Sequence, residues 1–106
     1  MAFKCDIPAV PAALQVDEVV RITRRDLAPG AVTGWRRHGW PYFVVRMTES
    51  RMRVHDGEKI TDLSFSAGHS YMRPAGVTHD VMNGGDKPMA FVEIEVKSPD
   101  RLVTLK

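Results

Sequence analysis

No stretch of ten or more residues in this 106-residue chain sustains a helical repeat, whereas three segments alternate side chains with period two. That contrast confines the fold to strands. From Tyr42 to Thr48, Phe43, Val45 and Met47 alternate with Tyr42, Val44, Arg46 and Thr48. Arg51 to His55 repeats the pattern, and Ala90 to Lys97 sets Val92, Ile94 and Val96 against Phe91, Glu93, Glu95 and Lys97. Val16 to Thr23 is rich in β-branched residues and reads as another strand, as do Lys59 to Phe65, Ser70 to Arg73 and His79 to Met82. Turn signals separate them: Ala28-Pro29-Gly30, Asp56-Gly57, Ser66-Ala67-Gly68, Pro74-Ala75-Gly76 and Asn83-Gly84-Gly85-Asp86. Short strands punctuated every roughly 8–12 residues predict an all-β sandwich or barrel. The length predicts one domain over 1–106, with its core over about 16–97 and an extended lead over 1–15. Ala12 to Val20 has room for a helical turn, and the tail Arg101 to Leu105 for a final strand.

Composition removes several classes of function. Fifteen Lys and Arg against thirteen Asp and Glu leave a formal charge of +2, interspersed along the chain, so a nucleic-acid partner is not expected. No apolar run approaches the ~20 residues of a membrane span and no signal-peptide pattern opens the chain, so the expected location is the cytoplasm, without membrane attachment. The single cysteine, Cys5, permits no internal disulfide and no cysteine cage for a metal. Ten of the fifteen basic residues are arginine, whose planar fork suits carboxylates and phosphates.

Four histidines, His38, His55, His69 and His79, are the compositional hint of chemistry. His38 lies in Gly34-Trp35-Arg36-Arg37-His38-Gly39-Trp40-Pro41-Tyr42-Phe43, and His79 follows the Pro74-Ala75-Gly76 turn. The second segment carries Gly68, Pro74, Gly76, His79 and Asn83 in the spacing G-x5-P-x-G-x2-H-x3-N, and on these residues the chain resembles the cupin superfamily. A companion pattern, G-x5-H-x-H-x3,4-E-x6-G, is met in part. Gly30 and His38 hold their places, while Arg36 stands at the first histidine, Phe43 at the glutamate and Ser50 at the closing glycine. Phrases such as Tyr71-Met72-Arg73-Pro74-Ala75-Gly76 and Phe91-Val92-Glu93-Ile94-Glu95 look more loosely like small bacterial cupins of the β-alanine degradation protein type.

The resemblance implies a jelly-roll β-barrel, a homodimer, and a divalent metal (Fe, Mn, Ni or Zn) held in the barrel mouth by histidines and a glutamate. Residue by residue, only His38 and His79 carry over as metal ligands, because guanidinium offers donors alone and Phe43 has no donor atom. Two readings follow. One is a metal-dependent enzyme acting on a small carboxylate-bearing metabolite, with His38 and His79 as catalytic base or ligands and Arg36 as the carboxylate anchor, assisted by Arg73 and lined by Trp40 and Tyr42. The other is a non-catalytic binding or sensing module with a degenerate, metal-free site. Glu93 or Glu95 aimed inward would complete a ligand set; otherwise they form a solvated or dimer-contacting face. Asn83 is expected to bond backbone beyond its strand, and His55 and His69 to lie exposed beside turns.

Overall fold

The structure, a computed structural model, describes residues 7–104. Cys5 and the last two residues of the tail lie outside that range. Nine strands follow in order: β1 (Val10–Val16), β2 (Val20–Leu27), β3 (Arg36–Arg37), β4 (Tyr42–Arg46), β5 (Ser50–His55), β6 (Ile60–Phe65), β7 (Ser70–Arg73), β8 (Thr78–Asn83) and β9 (Met89–Val96). A short helix, α1 (Pro99–Thr104), closes the described chain. Every strand pairing is antiparallel, in two sheets ordered β1-β2-β9-β4-β7 and β3-β8-β5-β6. The result is the all-β, cupin-type jelly roll that the turn spacing and the motif imply.

Three local expectations are corrected. The segment read as a lead contains β1, seven exposed residues paired along β2. The strand read from Val16 to Thr23 is broken at Asp17, whose Oδ1 accepts from the backbone N–H of both Val19 and Val20 at 2.8 Å. This is the local competition with strand pairing that aspartate favours. The helical turn expected over Ala12 to Val20 does not form, because β1 takes those residues up to Val16 into pairing with β2. The tail forms α1 instead of a strand: Pro99 suits a first helical position and Asp100 sits favourably in the first turn.

The motif residues act through the backbone. Gly76 has φ +93°, a conformation an L side chain resists, and its N–H donates to His38 O at 2.7 Å. His38 N–H donates in turn to Val77 O at 2.9 Å, so the Pro74-Ala75-Gly76 turn fixes where His38 sits. Gly68, at φ +84°, donates to Arg46 O and holds the end of β4. Asn83 is 2% exposed; its amide donates to Leu27 O at 2.9 Å and Lys87 O at 2.8 Å while its Oδ1 accepts from Gly85 N. It ties the end of β8 to the distant carbonyl of Leu27 and closes the following turn through that of Lys87.

The core gathers Leu27, Ala31, Tyr42, Val44, Met52, Val81, Met89 and Phe91 between the sheets. Register decides what else faces inward. Across the five-stranded sheet Arg21 lies opposite Glu95, Glu93 opposite Thr23 and Val44, and Phe91 opposite Arg46. The inward row of β9 is therefore Phe91, Glu93 and Glu95, and Val92 and Ile94 take the half-buried outer side. The reading of Glu93 and Glu95 as a solvated face is corrected. Both are buried, at 3% and 2% exposure, because arginines from neighbouring strands neutralise them.

Candidate functional site

One end of the barrel concentrates the polar residues. Arg36 on β3 lies opposite His79 on β8, which brings the two motif segments side by side. His38, just beyond β3, is 2% exposed and stacks on the Tyr42 ring at a centroid separation of 3.9 Å. Its Nε2 lies 3.2 Å from His79 Nε2, so the two histidines converge. At this distance one neutral ring donates N–H to the other, and two protonated rings would repel. Burial, reinforced by His38, lowers the His79 imidazole to about 4. Burial likewise lowers His38, against a weaker upward pull from Glu93. Both rings are neutral at pH 7.

Glu93 is the charged centre of this end. Its Oε1 accepts from Arg25 Nε and from Arg36 Nη1, the latter at 3.1 Å, while its Oε2 is 3.9 Å from His38 Nε2. Burial pushes the Glu93 carboxyl up, but Arg36 and Arg25 outweigh it and hold it below the usual carboxylate range. Arg21 forms a two-bonded pair with Glu95, at 2.9 and 3.0 Å, and its guanidinium lies 5.3 Å from the Trp40 ring centre.

A cavity of about 80 Å³ opens inside the barrel behind this group. Arg36, Arg46, Tyr42, Arg73, His79 and Glu93 supply its polar lining; Val44, Met52, Leu63, Val81 and Phe91 are among its apolar walls. Of the predicted site residues, Arg36, Tyr42, Arg73 and His79 line this cavity, and His38 touches it through Tyr42 and His79. Trp40 lines a separate open groove with Arg21, Arg37 and Glu95. Arg36 does face inward, but its charge is engaged by Glu93, so it is not a free anion anchor. His55 is corrected: it is buried, its ring edge-on to Trp35 at 5.5 Å, and its Nδ1 accepts from Gly57 N. His69 is exposed and stacks on Phe65.

Sequence reasoning missed Arg46. It ends β4 with 1% exposure, on the face shared by Tyr42 and Val44, and period two already placed it there. What alternation leaves open is which face turns inward.

The donor set tests the implied metal. Two imidazole nitrogens about 2.0–2.1 Å from a tetrahedral zinc lie roughly 3.3 Å apart, so the spacing of the pair alone would suit one. The remaining positions would not. Arg36 supplies only N–H donors, Phe43 points outward and exposed, and the adjacent Glu93 is bonded by two guanidiniums that repel a cation. Among the described residues no group of three or more His, Cys, Asp or Glu is arranged to hold a metal ion. The residues do not fit the family's four-ligand site.

The antiparallel jelly roll is that of a small cupin barrel, and the chain belongs to the cupin superfamily. It is 41% identical over 90 residues to the β-alanine degradation protein BauB of Pseudomonas aeruginosa, a match spanning 84% of this chain and 94% of that one. The crystal structure of a cupin domain from Bordetella pertussis Tohama I superposes with a TM-score of 0.85 at 36% identity, covering 91% of this chain and all of that one, 100%. An RmlC-like cupin of double-stranded β-helix fold from Methanocaldococcus jannaschii, at 18% identity and TM-score 0.72, covers 95% of this chain and 92% of its own, and shares the fold. No family model matches the chain. No helix among the described residues is long and apolar enough to cross a membrane.

Proposed function

We propose that this protein binds a small carboxylate-bearing metabolite inside the barrel, without a metal ion. The observation that carries the reading is the charge of the cavity: Arg36, Arg46 and Arg73 line it against one carboxylate, Glu93, which Arg25 and Arg36 already bridge. The excess is positive, in a small space walled by apolar side chains, which strengthens attraction to an anion. The likeness to a protein named for β-alanine degradation supports a short amino-, keto- or hydroxy-acid as the ligand class. His38 and His79, neutral at pH 7, offer one N–H donor and one lone pair to such a molecule, so any proton they move is exchanged at their ring nitrogens.

Protein purified without chelator tests both halves of the reading. Elemental analysis should find no stoichiometric metal, and added divalent ions should leave the melting temperature unchanged. Short carboxylates at tenfold their Kd should contribute about 1.4 kcal/mol, a rise on the order of 6 °C. Stoichiometric Fe, Mn, Ni or Zn that disappears in His79→Ala would instead establish the metal-dependent enzyme.

We further propose that the chain is a homodimer joined through β1. This edge strand pairs on one side only and exposes Val10, Leu14 and Val16, a combination that unprotected single barrels avoid. Light scattering should give twice the chain's mass, and Leu14→Arg should return the monomer. A monomeric wild type at micromolar concentration rules this assembly out.

A further inference from the structure

We propose that Arg46 is the anion anchor of the cavity and that it selects a short carboxylate whose other end bears no ammonium. The inference rests on the binding reading above and names its anchor and substrate class. The Arg46 guanidinium is buried against aromatic faces, 4.5 Å from the Phe91 ring centre and 5.4 Å from that of Phe65, and its Nη2 donates to Met89 Sδ at 3.6 Å. Among the described residues the arginines in ion pairs are Arg21, Arg24, Arg25, Arg36, Arg53 and Arg101; Arg46 is not one of them, its polar support being a hydrogen bond with Tyr71 and the more distant charge of Glu93. Its Nε and the Tyr42 hydroxyl are buried without hydrogen-bond partners, and both residues line the cavity. A buried cation without a counter-ion is costly, and buried donors almost always find acceptors. A carboxylate supplies what both lack: one negative charge and two acceptor oxygens matched to a guanidinium fork.

Size and charge narrow the ligand further. The cavity of about 80 Å³ holds a few water-sized groups, room for a carboxylate and a short chain. An ammonium at the far end would meet Arg36 and Arg73, with Glu93 Oε1 already bonded to Arg25 and Arg36 and Oε2 only 3.5 Å from the Arg36 guanidinium. A hydroxyl, carbonyl or methyl end meets no such repulsion, and the His38–His79 pair offers it a neutral donor or acceptor.

Calorimetric titration of the full chain with propionate, 3-hydroxypropionate, β-alanine and inorganic phosphate, paired with melting curves, tests this. Wild type should bind the first two at least tenfold more tightly than β-alanine or phosphate. Arg46→Met should melt higher than wild type without ligand, by roughly 5 °C, because a thioether of similar size replaces an unpaired buried charge. It should also bind propionate about 30-fold more weakly. Arg46→Lys, which keeps the charge but not the fork, should bind about tenfold more weakly, and decides the matter if the methionine variant does not fold. An Arg46→Met protein that folds but melts below wild type, or variants that bind propionate as wild type does, overturn the anchor. Equal affinity for propionate and β-alanine, or for phosphate, overturns the selectivity. If no acid binds the wild type, the binding reading falls and this inference with it; if acids bind but ignore the substitutions, only the Arg46 assignment falls.

Discussion

Between pH 7 and pH 4 the protein is expected to lose about 3 kcal/mol of folding stability, an acid sensitivity carried mainly by His79. Its imidazole titrates at 6.5 when solvated and at about 4 in the folded barrel. Because the folded value is the lower one, the unfolded chain binds more protons between the two, and stability rises with pH across that window. The contribution is complete above pH 6.5 and drains away as the pH falls toward 4; at about 1.4 kcal/mol per unit, the interval gives the figure above. His38 is shifted in the same direction, but the two rings share a contact at 3.2 Å and their protons are taken up as a pair, so the two effects do not simply add. Glu93 extends the loss. Its folded carboxyl lies below the unfolded 4.5, so its contribution is complete above that pH and is lost as the pH falls through the folded value. Thermal melts at half-unit intervals should show the melting temperature dropping on the order of 15 °C from pH 7 to pH 4. His79→Gln should flatten the upper part of that curve. A wild-type melting temperature that is level between pH 6.5 and pH 4.5 contradicts the buried, neutral pair.

Glu93→Ala is the substitution expected to cost most, about 3–5 kcal/mol at pH 7. The side chain is 3% exposed and bridges Arg25 on β2 to Arg36 on β3, so it links the two sheets electrostatically. Removing it leaves two largely buried guanidiniums without their counter-charge, and that uncompensated pair, more than the bonds themselves, sets the magnitude. Glu93→Gln keeps the shape and one acceptor and should fall between wild type and Ala. Glu93 also raises both His38 and His79, so its loss should carry the acid limb of the stability curve to lower pH. Urea denaturation of the three proteins at pH 7 measures the order. An alanine variant within about 1 kcal/mol of wild type would show that water already screens the bridge.

Much of this site is visible along the chain because it is made of local chemistry. Pro74 and Gly76 form a turn because one has a fixed φ and the other tolerates a positive one, and Asn83 bonds backbone for the reason asparagine does so elsewhere. The five motif residues that mark the cupin resemblance sit at turns and strand ends, where steric demands are short-range. Their spacing therefore also announces where His79 falls. Glu93 shows where such reading stops. Alternation along β9 separates Phe91, Glu93 and Glu95 from Val92, Ile94 and Val96, yet hydrophobicity points to the wrong row as the inner one. The inner row is the charged one because Arg21 and Arg25, some seventy residues earlier, come alongside it on β2.

Arg36 and Arg46 divide on the same ground. Both are inward-facing arginines, and nothing in their neighbouring residues distinguishes them. Arg36 meets Glu93 across the barrel in a direct ion pair; Arg46 meets Phe91, Phe65, Met89 and Tyr71 and has none. The amino-acid sequence by itself determined most of the strands and turns, which follow from φ preferences and period-two alternation, while its motif residues carried the resemblance that implied the barrel and the convergence of His38 with His79. The strand β1, the break at Asp17 and α1 were not legible in it. Only the tertiary structure decided which side of β9 is the inside and which guanidinium keeps its charge unmatched. Burial and charge compensation belong to residues far apart in the chain, and no local preference encodes which of them will meet.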